Sequence, residues 1–401
     1  MTYFTNKFLH FKGYLVQGIE NTKNETVIRL SPRRKTASCP RCGERTKTIY
    51  EQGGQRKIKH SKYEGRLVSV TFPKRRFTCS HCSRPFSEQP EFVAQRARTT
   101  GNFALEAIFA LSRSSFSTVC ESYQTSYSFL ASTLLKIKFD DPWPKGELRL
   151  GFDEHAYGKR HMMITVCELK NHKLLAILPY YTKEEVVKYL DSRAREELGR
   201  VTELCFDMGF KQQGVVEGYF PSVFTTVDKF HVLFCCAKLI DADRRILCTK
   251  YGYTERENLR QIMRMPTWKL TEKQREFLSK VFNEYPELKE RWSIYQKLAR
   301  FYQSKNREEG RLKLTEIRKA ILDLGDSYLA SFAKTLRKRE EEILNYFVNH
   351  TTNAYTEGVH TKIKMLKRTS YGFKNINIYI KKMMLSFLPF VIMASFFHPT
   401  K

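Results

Sequence analysis

No run of this 401-residue chain reaches the roughly 18 uninterrupted apolar residues that a membrane-spanning helix needs. The nearest stretch, Met383–Phe397, is too short and is interrupted by Pro389, and reads as a buried or subunit-contacting helix. Cysteine is sparse at ten residues, only four of them in CxxC pairs, which argues against a disulfide framework and for a reducing compartment with one metal site. The first ten residues, mixed and aromatic, hold no apolar core of signal-peptide length. No internal repeat or low-complexity tract is present. Acids are short as well: 42 Asp and Glu stand against 70 Lys and Arg, a net charge of +28, which points to a polyanionic partner. What the chain has is apolar material, 41% hydrophobic and 13% aromatic, enough to bury several cores and to exclude disorder.

The excess charge is uneven. Residues 1–100 carry 21 Lys and Arg against 7 acids, so one quarter of the chain holds half the surplus. The same segment holds Cys39-Pro40-Arg41-Cys42 and Cys79-Ser80-His81-Cys82, separated by 36 residues. Two thiolates two residues apart can curl around one tetrahedral ion, and two such knuckles close a four-thiolate shell, so Cys39, Cys42, Cys79 and Cys82 are read as ligands of one structural Zn2+. His81 is surplus to that set. Arg33, Arg34, Arg75 and Arg76 flank the knuckles and would neutralise phosphates. From Thr99 the pattern turns helical: Phe103–Leu111, Phe116–Tyr123 and Tyr127–Lys138, with a tight turn at Gln124–Ser126, outline a helix-turn-helix. Its last helix is the candidate reader of duplex DNA, through Ser126, Tyr127, Ser128 and Ser132; a solvated three-helix scaffold is the bland alternative.

Beyond the linker Asp140–Gly146 come apolar runs at Leu148–Phe152, Met162–Leu169 and Leu174–Tyr180, an amphipathic helix at Thr182–Leu198, and strands at Val201–Phe206 and Val223–Val227. That order makes an α/β core with a mixed sheet. Residues from Phe230 to about Asn349 read as almost wholly helical. Trp268 and Trp292 in this stretch are read as core residues. Two acids end apolar strands, Asp153 and Asp207, and a buried strand-end carboxylate is costly unless it is paired or binds a cation. Glu357 is the last acid of the chain, followed by eight Lys or Arg, and would complete a set able to hold Mg2+ or Mn2+ through oxygen. Asp228 and His231 form a D-x-x-H pair after the last strand; Asp228 as a helix cap with His231 packed behind it is an equal alternative. Lys362 and Lys364 follow Glu357, and of the two Lys362 is preferred as a phosphate contact.

Taken together, the paired knuckles, the helix-turn-helix, Leu150-Gly151-Phe152-Asp153-Glu154-His155-Ala156-Tyr157-Gly158-Lys159, Thr226-Val227-Asp228-Lys229-Phe230-His231-Val232 and Asn353-Ala354-Tyr355-Thr356-Glu357-Gly358-Val359-His360-Thr361-Lys362-Ile363-Lys364 resemble bacterial insertion-sequence transposases with a DDE site, specifically the ISL-three family. The resemblance spans about residues 39 to 385. It implies a ribonuclease-H-like core interrupted by an all-helical insertion, with Mg2+ or Mn2+ held by Asp153, Asp207 and Glu357, and Asp228 with His231 orienting nearby. The organisation expected is a basic zinc-ribbon domain (1–98), a helix-turn-helix (99–140), the first part of the core (147–245), the insertion (246–349), and the last part of the core with the catalytic glutamate and C-terminal helix (350–401). The function implied is binding of double-stranded DNA at terminal inverted repeats, metal-dependent phosphodiester hydrolysis and strand transfer into target DNA, by a homodimer or larger assembly on DNA, in the bacterial cytoplasm at the nucleoid. The alternative is a non-catalytic DNA-binding regulator derived from a transposase.

Overall fold

The computed structural model describes residues 11–139, 143–251 and 256–389. These fall into two compact units: the described parts of Met1–Asp140 and of Ile363–Lys401 form one, and the described part of Asp141–Lys362 forms the other.

The first unit opens with β1 (Tyr14–Asn21) and β2 (Glu25–Pro32), then the two-residue strands β3 (Ala37–Ser38) and β4 (Arg45–Thr46), the long β5 (Ile49–Tyr63) and β6 (Arg66–Thr78), and β7 (Pro85–Ser87). The main sheet runs β1-β2-β6-β5 with β7 beside β6, and β2 pairs with β6 in parallel. Alternation drives it: Val68, Val70 and Phe72 of β6 face a core with Ile28, Leu30 and Ile58. Three helices follow, α1 (Gly101–Arg113), α2 (Phe116–Ser122) and α3 (Tyr127–Lys136). Each starts where a hydroxyl, of Thr100, Ser115 or Ser126, accepts a backbone N–H of the first turn.

The second unit is built on β8 (Leu148–Gly158), β9 (His161–Glu168), β10 (Lys173–Leu178), α4 (Lys183–Asp191), α5 (Arg195–Leu198), β11 (Val201–Phe206), α6 (Gln213–Tyr219) and β12 (Phe224–Val227). Strand order is β10-β9-β8-β11-β12; β8 through β10 are antiparallel, and β11 lies parallel to both β8 and β12. A helical body follows: α7 (Lys229–Tyr251), α8 (Arg256–Met263), α9 (Glu272–Glu284), α10 (Pro286–Phe301), α11 (Arg307–Asp323), α12 (Ser327–Lys338), α13 (Glu340–Leu344) and α14 (Tyr346–Asn349). It shares one core, running from Val227 and Val232 to Leu344. Where the chain returns to the sheet, buried Glu203 accepts from Thr226 at 2.5 Å, Asn349 at 3.0 Å and Thr351 at 2.6 Å. The last helices are α15 (Ala354–Thr369) and α16 (Ile376–Leu385).

Three boundaries differ from the sequence expectation. The helix expected over 182–198 breaks at Ser192 into α4 and α5. The division at 245/246 falls inside α7, so the helical body begins at 229, directly after β12. The C-terminal segment expected to belong whole to the core divides within α15: residues from 363 group with the first unit, where Ile378 and Leu385 of α16 join the core of α1–α3. Lys382, fully buried, donates its Nζ to the Leu111 carbonyl at the end of α1, a cation at a helix C-terminus. Of Met383–Phe397, residues 390–397 lie outside the described residues; Met383, Met384 and Leu385 are buried. Trp292 packs on Phe282 and donates to the Met263 carbonyl, whereas Trp268 is 42% exposed and is not a core residue.

Candidate active site and metal centre

Two tight turns present the four thiols. Cys39 N–H donates to the Glu44 carbonyl, and Gly43, at φ +77°, donates back to Cys39; Cys79, Ser83 and Arg84 repeat the pattern. Cys39 Sγ lies 3.8 Å from Cys82 Sγ and Cys42 Sγ lies 3.5 Å from Cys79 Sγ. All four ligand atoms fall within 4.8 Å of one another. A tetrahedron with Zn–S arms of about 2.3 Å has edges of about 3.8 Å, so the spacing suits a single structural Zn2+. The backbone N–H groups of Cys42 and Arg41 bring the Cys39 thiol down to about 6, and that of Cys82 lowers Cys79. His81 is exposed and outside the quartet.

Strand register lines up three aspartates. Phe152 of β8 pairs with Phe206 of β11, and Phe206 with Val227 of β12; the next residue along is Asp153, Asp207 and Asp228 respectively. Neighbouring strands run about 4.8 Å apart, so the three carboxylates lie side by side across three parallel strands. Asp207 and Asp228 follow the last residues of β11 and β12, whereas the strand expected to stop at Phe152 runs on to Gly158, so Asp153 lies mid-strand and pairs with Thr165 of β9. Beneath them, Phe206 stacks on Phe152 at 5.7 Å and on Phe210 at 5.3 Å, holding the loop after β11. Burial, then the charge of Asp207, pushes Asp153 up to about 7, against an N–H from Glu154 at 2.7 Å. Burial likewise carries Asp228 up to about 6, although the Asn353 N–H opposes it.

Asp228, at 2% exposure, accepts from the His231 N–H at 3.1 Å and from the Asn353 N–H at 2.9 Å. It therefore caps α7 and is spent internally. His231 turns its ring outward to Asp207, with Nδ1 2.6 Å from Oδ2. Burial would pull this imidazole down, but the hydrogen bond to Asp207 prevails and takes it up to about 10. Among the described residues, the cysteine quartet is the one group of three or more potential ligands within 4.8 Å; Asp153, Asp207 and Glu357 stand further apart as a trio.

Glu357 projects from the first turn of α15 and is exposed. Two anchors flank it. Before it, Asn353 is bonded to Asp228 and buried against Gly151, where an added Cβ would meet Asn353 Oδ1 at 2.4 Å and Leu169 Cδ2 at 2.8 Å. After it, His360, one turn on, places Nδ1 3.4 Å from Asp153 Oδ2 and Nε2 2.9 Å from Thr165 Oγ1, which His155 Nδ1 also meets at 2.8 Å. The helix bearing the third acid is thus referenced to the strand bearing the first. Sequence reasoning passed over His155 and His360; their signal is position, two residues after Asp153 on a strand and three after Glu357 on a helix. Lys362, half-buried, lies about 140° around the helix from Glu357 and does not share its face. Substituting Gly151→Ala should lower stability by about 1–3 kcal/mol and displace the start of α15, read as a reduced melting temperature.

The residues expected to meet DNA divide. Arg33 and Arg34 are exposed. Arg76 is exposed too, 3.4 Å from Glu51 and over the Tyr50 ring at 5.1 Å. Arg75 is not a surface cation: at 7% exposure it grips Glu88 through Nε at 2.7 Å and Nη2 at 2.5 Å and donates to the Arg34 carbonyl. Ser126 is spent as the cap of α3, 3.0 Å from Ser128, and Ser132 bonds its own helix. Tyr127 is half exposed, its ring 4.8 Å from Phe116.

A zinc knuckle pair ahead of a mixed sheet that aligns aspartates on neighbouring strands fits a DNA transposase, and the comparisons give the family. Residues 150–383 match the transposase family ISL3, and residues 35–82 match the zinc-finger of transposase IS204/IS1001/IS1096/IS1165. The chain belongs to the ISL3 family of transposases. It is similar to the transposase for insertion sequence element IS1001 of Bordetella parapertussis, 22% identical over 94% of this chain and 96% of that one. The transposase for insertion sequence element IS1557 of Mycobacterium tuberculosis is 23% identical over 59% of this chain and 60% of its own length. No helix among the described residues is long and apolar enough to cross a membrane.

Proposed function

We propose that the chain cuts DNA at the ends of an insertion sequence and joins the freed 3′ ends to target DNA, using Asp153, Asp207 and Glu357 as the carboxylates of a ribonuclease-H-like core. The observation that carries this reading is the register that sets Asp153 beside Asp207, with Glu357 on a helix pinned to the same strands through His360 and Asn353. The donor set fits Mg2+ or Mn2+: hard carboxylate oxygens, with Asp153 held up at about 7 by burial and then by the charge of Asp207. Such an ion would polarise the phosphodiester and favour ionisation of an attacking water or 3′-hydroxyl.

The chain's own part is position. His231 engages Oδ2 of Asp207, so Oδ1 is the oxygen left for an ion. His360, itself braced by Thr165, steadies Asp153. The zinc-braced sheet and α1–α3, read as a helix-turn-helix with α3 as reader, would bind terminal inverted repeats. Two ends must meet, so the working form is a homodimer or larger on DNA, acting at the bacterial nucleoid. The test is Mg2+-dependent nicking and strand transfer on an end-containing duplex. Glu357→Gln should reduce cleavage at least about 100-fold with duplex binding unchanged. Full cleavage by that variant would reject the site; binding without any metal-dependent cutting by the wild type would favour a non-catalytic regulator.

A further inference from the structure

A concavity of about 1550 Å3 lies in the first unit, on the sheet that joins the knuckles to the three helices. Its lining runs from Arg41, inside the first knuckle, along β5 and β6 to Gln124 in the turn before α3. Nine of its side chains are Lys or Arg and three are Glu. Each of the three acids is already engaged: Glu25 by Lys57 at 2.5 Å, Glu51 by Arg76 at 3.4 Å and Glu88 by Arg75 at 2.5 Å. Arg41, Lys74, Arg96 and Arg98 are exposed, and none of them forms an ion pair with a carboxylate among the described residues. The groove therefore carries a cationic surplus that the fold does not consume.

The segment bearing Arg96 and Arg98 is held in place. Lys59 N–H donates to the Arg98 carbonyl at 3.1 Å, and Thr100 N–H returns to the Lys59 carbonyl at 2.9 Å, so the chain just after Arg98 meets β5 at one parallel bridge. Arg96 sits at φ +59°, a left-handed conformation that glycine adopts freely and other side chains adopt at a cost. The conformation directs the Arg96 side chain out of the turn at a cost that glycine would not incur, and that contact with a ligand would offset. A set of exposed cations running from a zinc knuckle to a helix turn matches a polyphosphate backbone better than an acidic protein, whose charges are not evenly spaced.

We propose that this groove is a duplex-DNA site in its own right, in which Arg41, Lys74, Arg96 and Arg98 track one phosphate backbone between the knuckles and the turn before α3. The inference rests on the transposase reading above and deepens it by naming the groove on the zinc-braced sheet, and the four cations in it, that would hold the phosphates. These contacts touch phosphates and not bases, so they contribute equally on any sequence.

The test is fluorescence anisotropy of the full zinc-loaded chain on a mixed-sequence DNA duplex over a range of salt. Each lost phosphate contact lowers the slope of log affinity against log salt by about 0.9, which is about five-fold in affinity at about 0.15 M salt. Lys74→Ala, Arg96→Gly and Arg98→Ala should each show that loss, with the three combined lowering the slope by about 2.7. Arg96→Gly relieves the backbone while removing the cation, so weaker binding with an unchanged or higher melting temperature cannot be misfolding. Arg98→Lys should keep the wild-type slope. Wild-type binding with an unchanged slope in the triple variant overturns the groove and leaves the transposase reading standing. No duplex binding by the wild type overturns both. Displacement of DNA by polyglutamate as effectively as by competitor DNA would assign the groove to an acidic protein instead.

Discussion

Asp153→Asn is expected to melt several degrees above the wild type at pH 8 without metal, and to cut no DNA. The carboxyl of Asp153 is held up at about 7 by burial and by Asp207, against an ordinary 3.8. Between those values the folded protein keeps a proton that the unfolded chain releases, so stability falls as pH rises through the window, and above pH 7 the whole cost is present. That cost is on the order of a few kcal/mol. Asparagine keeps an oxygen for the Glu154 N–H and removes the charge. Thermal melts at pH 5 and pH 8, with and without Mg2+, check this. The wild type should lose stability between the two pH values and recover much of it at pH 8 when Mg2+ is added; the variant should lose less, through Asp228 and His231, which are also held up, and gain nothing from Mg2+. A wild type indifferent to Mg2+ at pH 8 would mean that the repulsion between the two acids is not what a cation relieves.

Removing the zinc should have the other large effect. A four-thiolate site contributes on the order of 10 kcal/mol to the fold around it. Without it the knuckle loops lose their shared centre, and what ties them is the β5–β6 pairing at Ile49 and Phe77, the Arg75 bond to the Arg34 carbonyl, and the bonds from Thr46 Oγ1 to the Thr78 carbonyl at 2.8 Å and from Thr78 N–H to the Thr48 carbonyl at 2.9 Å. Atomic absorption should find one zinc per chain and none in Cys79→Ser. In that variant limited proteolysis should open residues 35–82 and duplex affinity should collapse, while the unit of Asp141–Lys362 keeps its own melting transition. A metal-free protein with an intact, protease-resistant knuckle region would contradict the assignment.

What could be read in the sequence was local. Hydroxyl caps at Thr100, Ser115 and Ser126 mark the starts of α1–α3 because a helix must satisfy its first N–H groups nearby. The strands of the second unit show as apolar runs because both faces of that sheet are covered. The choice of distant partners was not legible. Nothing in β2 or β6 alone announces that they pair in parallel, nor in α16 that it completes the core of α1–α3. Arg75 looks like its neighbour Arg76 until Glu88 closes on it, since adjacent strand residues point to opposite faces. The site divides the same way. An apolar run ending in an acid picks out Asp153 and Asp207, although β8 continues past Asp153 because β9 pairs with it there, and sequence context picks out Glu357. The histidine bracing that joins them crosses three elements, and only the fold brings His360, Thr165 and His155 together.

The most direct test is to locate manganese by its anomalous scattering in crystals of the protein bound to an end-containing duplex. The account predicts ion density touching carboxylate oxygens of Asp153, Asp207 and Glu357, next to a DNA phosphate. Manganese bound elsewhere, or at Asp153 and Asp207 with Glu357 turned away from it in the assembled complex, would contradict it.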